Sequence, residues 1–175
     1  MNSAINSSWW RRSGTFWAGA SLIVSTLCVW ATPLLAEPAN ADAQHNKIAN
    51  RILALQETDQ RWIEIDLSKQ RLVAWEGDKI AYAVVISTGK DGTPTPTGTF
   101  AIQTKHRVAR MQGEDYDVPD VPFTMYYDGS YAIHGAYWHN KFGTPVSHGC
   151  TNVAVNHAEW LFNWATVGTP VVVHD

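Results

Sequence analysis

The hexapeptide Ser147-His148-Gly149-Cys150-Thr151-Asn152 is the stretch around which the rest of this 175-residue chain is organised, and His134-Gly135 precedes it by a short interval. Together the two segments hold one thiol, two imidazoles and two glycines. A thiol becomes a good nucleophile when a neighbouring imidazole takes its proton or when a positive field lowers its pKa. This grouping therefore predicts that Cys150 is the nucleophile of a cysteine acyl-transfer enzyme.

Two histidines are candidates to activate that thiol. His148 lies two residues before Cys150, so that in an extended segment both side chains would leave the same face of the chain. His134 is more distant in sequence, but a reversal of the chain through residues 140–145 would bring it beside the thiol. Gly149 has no Cβ, so its backbone can turn sharply and let an acyl group approach closely. The amides around Gly149 and Cys150 would then point at a developing oxyanion.

Two other interpretations of the same residues remain open. A buried cysteine is often only a small hydrophobic side chain. Zinc takes imidazole and thiolate ligands, and the candidate ligands for it are His134, His139, His148 and Cys150. Against zinc, the sequence has no second cysteine nearby and no Cys-x-x-Cys or His-Glu-x-x-His spacing. The residues therefore favour a catalytic thiol that needs no metal.

The N-terminal residues carry the pattern of an export signal. Trp9-Trp10-Arg11-Arg12 is a short basic lead, an apolar run extends from Gly14 to Leu35, and small residues follow. These features predict a secretory signal peptide over residues 1–36. Because the run is close to the length that spans a bilayer, an uncleaved membrane anchor is the alternative. In both cases we expect the rest of the chain to be exported, to the periplasm or the cell envelope.

The cysteine count supports a reactive role for Cys150. The chain has two cysteines, and Cys28 lies inside the predicted signal, so the exported part would keep only Cys150 and form no internal disulfide. An unpaired thiol in an oxidising compartment indicates a reactive residue. The formal net charge of −3, without a Lys/Arg cluster, argues against a nucleic-acid-binding protein.

Residues 61–175 are predicted to form one mainly β domain, preceded by a linker and a short helix over residues 37–60. Short strands separated by turns follow one another over residues 63–87, which is typical of a β-meander. The Pro-rich stretch 88–99 predicts a rigid, ordered loop, because proline cannot donate to a strand ladder. A strand is predicted over residues 100–104.

The second half of the domain predicts a lid and one short helix. Residues 107–121 are polar and show no periodicity, which predicts a long loop that covers a site. After the nucleophile loop, Asn156 and Glu159 predict a helix that begins with a variant of the capping box. Three further strands are predicted at residues 123–127, 131–134 and 171–173, the second of which would place His134 at a strand end.

The pattern Ile133-His134-Gly135 followed by Ser147-His148-Gly149-Cys150-Thr151-Asn152 resembles the signature of the L,D-transpeptidase catalytic-domain family. The Thr-Pro-Thr-Pro-Thr-Gly-Thr-Phe loop at residues 93–100 and the turn Asp66-Leu67-Ser68-Lys69-Gln70 are similar to two further hallmarks. The three features cover nearly all of residues 62–175. The resemblance implies a mainly β, sandwich-like fold with one short helix after the nucleophile loop and an N-terminal lead-in helix.

The resemblance also implies roles for individual residues. Cys150 would be the nucleophile and His134 the general base, with the carbonyl of Gly135 orienting that base. The amides of His148, Gly149 and Cys150 would stabilise the oxyanion. The residues implied to contact the substrate are Met111 and Tyr116 in the predicted lid, together with Ser147 and Asn152. This sequence departs from the family in having Thr151 where an apolar residue is usual, and in a shorter interval between His134 and Ser147.

Membership of that family would make the chain a peptidoglycan cross-linking enzyme. Cys150 would attack the third residue of a donor stem tetrapeptide, expel the terminal D-alanine, and pass the acyl group from a thioester to an amine of an acceptor stem. Transfer to water would instead make it an L,D-carboxypeptidase or another cysteine hydrolase of wall peptides. A wall-binding module with an inert thiol is the non-enzymatic alternative. The implied partners are stem peptides, with carbapenems as covalent ligands of the same thiol, and no cofactor is implied.

Overall fold

The computed structural model describes residues 37–175, which form two β-sheets and two α-helices. The predicted signal peptide or anchor over residues 1–36 lies outside the described residues. In chain order the elements are α1 (Glu37–Gln56), β1 (Arg61–Asp66), β2 (Arg71–Glu76), β3 (Lys79–Val85), β4 (Gly98–Ala101), β5 (Thr104–Gln112), β6 (Asp117–Asp128), β7 (Tyr131–Gly135), β8 (Thr151–Val153), α2 (Val155–Trp164) and β9 (Pro170–His174).

The first sheet has five strands in the order β3-β2-β1-β9-β4. Its first three strands are the predicted antiparallel meander, with turns where the sequence placed them. The last strand, β9, enters between β1 and β4; it runs parallel to β1, so that Ile63 pairs with Val171. The neighbouring strands β1 and β9 in this sheet therefore come from the two ends of the domain.

The second sheet has four strands in the order β5-β6-β7-β8 and carries the functional residues. Strand β7 is antiparallel to β6 and parallel to β8. The parallel pairing places His134 opposite Asn152 and Ile133 opposite Thr151. Because β8 directly follows Cys150, this register brings the end of β7 that carries His134 and the loop that carries Cys150 to the same part of the sheet.

The two sheets share one hydrophobic core, to which α2 also contributes. Alternate residues of the strands point inward, as expected for a sheet with one buried face. The buried core residues come from the first sheet (Ile63, Ile65, Leu72, Ala74, Val171, Val173), the second sheet (Met125, Tyr127, Ile133, Val153) and α2 (Ala158, Leu161, Trp164). The predicted mainly β, sandwich-like fold with one helix after the nucleophile loop is confirmed.

The lead-in helix α1 covers the outer face of the first sheet. Ile48 and Leu55 lie one above the other on the helix and pack on Trp62 and Val172, all four being buried. The Trp62 ring stacks on that of Trp75, with centroids 5.4 Å apart. This second cluster fixes α1 on the sheet. Neither helix within residues 37–175 combines the length and hydropathy that a membrane span requires.

The predicted lid loop over residues 107–121 is wrong, because this segment forms most of the β5–β6 hairpin. None of the residues of β5 is buried, so the strand lacks the apolar alternation that marks a strand in a sequence. On β6, Asp120 and Phe123 adopt positive φ angles of 52° and 55°, and the register with β5 shifts between Ala109 and Met111. The hairpin nevertheless reaches the functional site, where the lid was expected.

Two smaller predictions are also corrected. The prediction of a single strand over residues 100–104 is wrong, since the chain leaves the first sheet after Ala101 and joins the second at Thr104. Ile102 donates to Thr169 on one side of this crossing. Helix α2 begins at Val155, with Ala154 as its N-cap and no side-chain cap, so the predicted capping role of Asn156 is wrong.

Candidate functional site

A cavity of about 460 Å³ lies between the tip of the β5–β6 hairpin and the loop that contains Cys150. It opens beside the end of β7. Its walls come from three parts of the chain: the β5–β6 hairpin, the end of β7 with the loop that follows it, and the segment around Cys150. The lining residues are Met111, Tyr116, Val118, His134, Trp138, His139, Lys141, Val146, Ser147, His148, Cys150 and Asn152.

His134 lies near the end of β7 and is 2% exposed. Its Nδ1 lies 3.1 Å from the carbonyl oxygen of Gly135. A carbonyl only accepts hydrogen bonds, so Nδ1 carries the proton and Nε2 of the neutral ring keeps a free lone pair. Burial lowers the pKa of His134 to about 4, although the Gly135 carbonyl opposes this shift. The imidazole is therefore neutral near pH 7 and has a basic nitrogen available.

Cys150 is a free cysteine immediately before β8 and lines the same cavity as His134. Its Sγ lies 3.6 Å from the carbonyl oxygen of Ser130, to which the thiol donates. Burial raises the pKa of the Cys150 thiol above its ordinary value. In this structure the pair is therefore a neutral thiol and a neutral imidazole rather than a thiolate with an imidazolium.

Gly149 gives the loop its shape at the residue before the thiol. Its φ of +111° is one that side chains with a Cβ rarely adopt, and a Cβ there would lie 2.5 Å from Cε1 of Tyr131. The Ser147 hydroxyl accepts the amide of Gly149 at 3.0 Å and donates to the carbonyl of Cys150 at 2.6 Å. This turn replaces the extended segment in which His148 and Cys150 would share one face.

 Because the Gly149 N–H is already engaged by a hydroxyl, the amides of His148 and Cys150 are the candidates that could face an oxyanion. The Gly149 carbonyl is held as well, since it accepts the Thr95 hydroxyl at 2.8 Å. The loop is thus braced on both sides of the glycine, and Ser147 lines the cavity while its hydroxyl holds the turn.

The Asp66–Gln70 turn supports this loop from behind. The Asp66 carboxylate accepts the Lys69 amide at 2.9 Å and closes the turn. Gln70, which is buried, accepts the Thr88 amide at 2.9 Å through its side-chain oxygen and donates to the Thr88 hydroxyl at 2.6 Å. The Thr88 carbonyl in turn accepts the amides of Val146 and Ser147. One continuous set of hydrogen bonds therefore runs from Gln70, at the end of this turn, to the loop that holds the thiol.

The Pro-rich loop supports the same segment from another side. Thr95 accepts the Gly89 amide at 2.9 Å and donates to the loop carbonyl of Gly149. Thr93 donates to the carbonyl of Ser147 at 3.2 Å. The predicted ordered loop is thus tied to the nucleophile segment by its threonine hydroxyls, whereas its prolines limit the freedom of the backbone between them.

His148 faces the tip of the β5–β6 hairpin. Its ring stacks on Tyr116 with centroids 4.7 Å apart, and its Nε2 lies 3.2 Å from the Asp115 carboxylate. Met111 and Tyr116, the residues expected to face a substrate, both line the cavity from this hairpin. The hairpin therefore supplies the wall that the sequence assigned to a loop.

The segment after β7 supplies residues that the sequence analysis did not place in the site. Trp138 stacks on the His134 ring with centroids 5.7 Å apart. His139, considered above only as a zinc ligand, has its Nε2 2.8 Å from the side-chain amide of Asn152. Lys141 also lines the cavity. The dense run of aromatic and basic residues from 137 to 142 was the signal that could have identified this wall.

The electrostatics of this wall depend on His139 and Lys141. Burial, followed by the nearby Lys141 ammonium, lowers the pKa of His139 below its ordinary value. Nδ1 of His139 accepts the Lys141 amide at 3.1 Å, as a neutral imidazole nitrogen does. Within residues 37–175, no three His, Cys, Asp or Glu side chains form a group that could hold a metal ion.

Comparison with known proteins agrees with this geometry. A family model, YkuD, described as the L,D-transpeptidase catalytic domain, matches residues 60–173. L,D-transpeptidase 1 of Mycobacterium tuberculosis is 35% identical over 100 residues, which cover 50% of this chain and 39% of that protein. The chain therefore spans less than two thirds of the length of this curated relative.

Solved structures show the same fold. An L,D-transpeptidase of Enterococcus faecium superposes with a TM-score of 0.63 at 31% identity, covering 67% of this chain and 50% of the other. The L,D-transpeptidase LdtMt1 in complex with imipenem superposes with a TM-score of 0.62 at 27% identity, covering 66% and 59%. The match over residues 60–173 takes in both sheets, the Cys150 loop and the buried His134. This chain belongs to the YkuD family of L,D-transpeptidase catalytic domains.

Proposed function

We propose that this chain is an exported L,D-transpeptidase of peptidoglycan, with Cys150 as its nucleophile and His134 as its general base. The observation that carries the proposal is the placement of both groups in one cavity, with Nδ1 of His134 directed at the Gly135 carbonyl. That contact leaves Nε2 unprotonated, which is the state that a base requires. Family membership supports the chemistry, since the family is defined by L,D-transpeptidase catalytic domains.

The first step is acylation of Cys150 by a donor stem tetrapeptide. As Sγ attacks the carbonyl carbon of the third residue, its proton passes to Nε2 of His134. The amides of His148 and Cys150 are proposed to stabilise the oxyanion of the tetrahedral intermediate. When that intermediate collapses, the C–N bond to the terminal D-alanine breaks, the leaving amine takes the proton from His134, and a thioester on Sγ remains.

The surroundings of the pair determine when charge forms on it, since His134 is buried and Cys150 is partly buried. A buried thiolate and a buried imidazolium are both costly when they are separate, so the resting state is neutral. Proton transfer then occurs together with attack on the carbonyl, and the positive charge on His134 forms beside the developing negative charge. The Trp138 ring over His134 excludes water from one side of the base.

The second step transfers the acyl group to an acceptor. The amine of an acceptor stem attacks the thioester carbonyl and loses a proton to His134, and the C–S bond breaks as Sγ is reprotonated. Attack by water instead would release the tripeptide and make the enzyme an L,D-carboxypeptidase. Met111, Tyr116 and Asn152 are the lining residues proposed to position the peptide.

The compartment follows from the substrate and the N-terminal pattern. Peptidoglycan lies outside the cytoplasmic membrane, so we propose that residues 1–36 direct export, as a cleaved signal peptide or as an anchor. The catalytic domain over residues 61–175 then acts in the periplasm or the cell envelope. No cofactor enters the proposed steps, because the thiol and the imidazole supply both the nucleophile and the proton transfers.

The test is product analysis with a purified disaccharide tetrapeptide. We expect cross-linked dimers and free D-alanine, and a mass increase on Cys150 during turnover; tripeptide without dimer would identify the carboxypeptidase. Because LdtMt1 is known in complex with imipenem, we also expect imipenem to add its mass to Cys150. Cys150→Ala should abolish all four of these signals: the dimers, the free D-alanine, the mass increase during turnover and the imipenem adduct.

A matched pair of histidine variants separates catalysis from folding. His134→Gln should reduce acylation by several orders of magnitude, while His45→Gln, on the exposed surface of α1, should leave it unchanged. Full activity in Cys150→Ala, or in a His134→Gln variant that is correctly folded, would refute the proposed mechanism.

A further inference from the structure

The wall of the cavity opposite the hairpin carries one positive side chain and no negative one. Among its lining residues, Lys141 is the one Lys or Arg side chain, and no Asp or Glu lines it. His134 has its pKa lowered to about 4 and His139 has its pKa lowered below the ordinary value, so both rings are largely neutral near pH 7. The ammonium of Lys141 is therefore the main formal charge that a bound molecule meets on this wall.

The position of Lys141 is fixed by its backbone. Its carbonyl accepts the hydroxyl of Ser87 at 2.7 Å, and its amide donates to Nδ1 of His139. Two residues later, the amide of Gly143 donates to the carbonyl of Ile86 at 2.8 Å. Three hydrogen bonds thus anchor this part of the loop, so that the side chain projects from a held backbone.

The ammonium group has no acidic partner within the part of the chain that the structure describes. No Asp or Glu oxygen of residues 37–175 lies within 4.0 Å of it, whereas Lys69 pairs with Asp66 at 2.6 Å. Lys105 is also engaged, since it donates to two carbonyls at the end of α2. Lys141 differs from both in being free to bind a group from outside the protein.

We propose that Lys141 is a specificity-determining residue, which binds a carboxylate of the donor stem peptide during acylation of Cys150. This inference rests on the proposed function. A stem tetrapeptide carries a carboxylate on its terminal D-alanine and further ones on its inner residues wherever these are not amidated. The wall around Lys141 has one ammonium and no carboxylate, so it attracts such a group. The Asp115 carboxylate lies at the hairpin side instead, where it contacts His148. The enzyme then prefers donors whose recognised carboxyl is free over the matching carboxamides.

The experiment compares donor tetrapeptides in which each carboxyl group in turn is converted to a carboxamide. The rate of thioester formation on Cys150 is followed by mass spectrometry, which isolates the donor step from the acceptor step. For the wild-type protein, we expect one of these amidations to lower kcat/KM for acylation about tenfold, as expected for loss of a charge-assisted hydrogen bond. The position of that carboxamide also shows whether the terminal or an inner carboxylate is recognised.

Variants of two lysines provide the controls. Lys141→Met should be acylated at the same rate by the acid and by the carboxamide, and Lys141→Arg should restore at least part of the preference. Lys79 is also exposed but lies on β3, outside the cavity, so Lys79→Met should discriminate as the wild type does. Thermal unfolding of each variant checks that the fold is retained.

The outcomes distinguish the inference from the function on which it rests. If the wild type is acylated equally by every acid and carboxamide, or if Lys141→Met keeps the full preference, the role of Lys141 is refuted while the transpeptidase function stands. If none of the peptides acylates Cys150, both proposals are refuted.

Discussion

The pH dependence of Cys150 acylation tests the central feature of the site, which is the buried, neutral His134. The structure lowers the pKa of this residue to about 4, from an ordinary value of about 6.5. At pH 6, an ordinary histidine would be about three quarters protonated and inactive as a base, whereas His134 would be about 1% protonated. The two cases therefore predict very different rates in mildly acidic buffer.

The measurement is the second-order rate constant for acylation of Cys150 by imipenem, followed by mass spectrometry from pH 4 to pH 8. We expect the rate to change by less than about twofold between pH 7 and pH 5, and to fall by half near pH 4. Near-ultraviolet circular dichroism at each pH shows whether the protein stays folded. A rate that falls by half at pH 6 or above, while the fold persists, would contradict the neutral-base arrangement.

The same shift has a consequence for stability, and its sign follows from linkage. The unfolded chain takes up a proton on this histidine below pH 6.5, but the folded protein does so only near pH 4. The contribution of His134 is therefore fully present above pH 6.5 and is lost as the pH falls towards 4. A shift of about two and a half units corresponds to about 3 kcal/mol, so urea denaturation of His134→Gln should show a correspondingly weaker loss of stability between pH 6.5 and pH 4.

Three substitutions test the supports of the site and of the fold. Gly149→Ala should cost about 1–3 kcal/mol of unfolding free energy, because of its positive φ and the Tyr131 ring, and should also slow acylation of Cys150; an unchanged rate would argue against the need for this turn. Gln70→Leu leaves the buried Thr88 amide without its acceptor, so urea denaturation should show a loss of about 1–3 kcal/mol, together with slower acylation. Lys105→Met removes the donor to the last carbonyls of α2 and should lower stability by about 1–2 kcal/mol in the same assay, without a change in acylation rate.

The first half of the domain was predictable because its residues follow simple rules. Ile63 and Ile65 alternate with polar residues, and the Asp66–Gln70 turn and the turn at Gly77 mark the ends of the strands. Each strand there has one face in a core, so its sequence records the period of two. Helix α1 also has one face in a core, which places Ile48 and Leu55 on the same side of the helix, seven residues apart.

The β5–β6 hairpin was not predictable by that rule. Both faces of β5 are open to solvent for most of its length, so burial imposes no alternation on its sequence. Pro119 and Pro122 lie within β6, where prolines usually argue against a strand. Strand β5 pairs with β6 in a register that sets Ala109 opposite Val121 and Lys105 opposite Met125. Val121 and Met125 are buried by the rest of the fold, so the residues of β5 alone do not specify this register.

The site shows the same division between local and non-local information. The grouping of Cys150, Gly149 and His148 could be predicted from adjacency in sequence. His134 was one of two candidate histidines on the same grounds, and the resemblance implied that it is the base. Trp138 and Lys141 reach the cavity only because the loop after β7 is fixed to Ser87 and Ile86, which no local pattern records. The β7–β8 register determines which of these side chains share a wall.

The entry of β9 between β1 and β4 has a consequence for how the chain folds. The strand partners of residues 61–66 arrive from residues 71–76 on one side but from residues 170–174 on the other. Closing so long a loop is slow compared with forming a hairpin. Until β9 arrives, β1 and β4 each present an unpaired backbone edge, and a partly folded molecule can associate through these edges with another copy of itself.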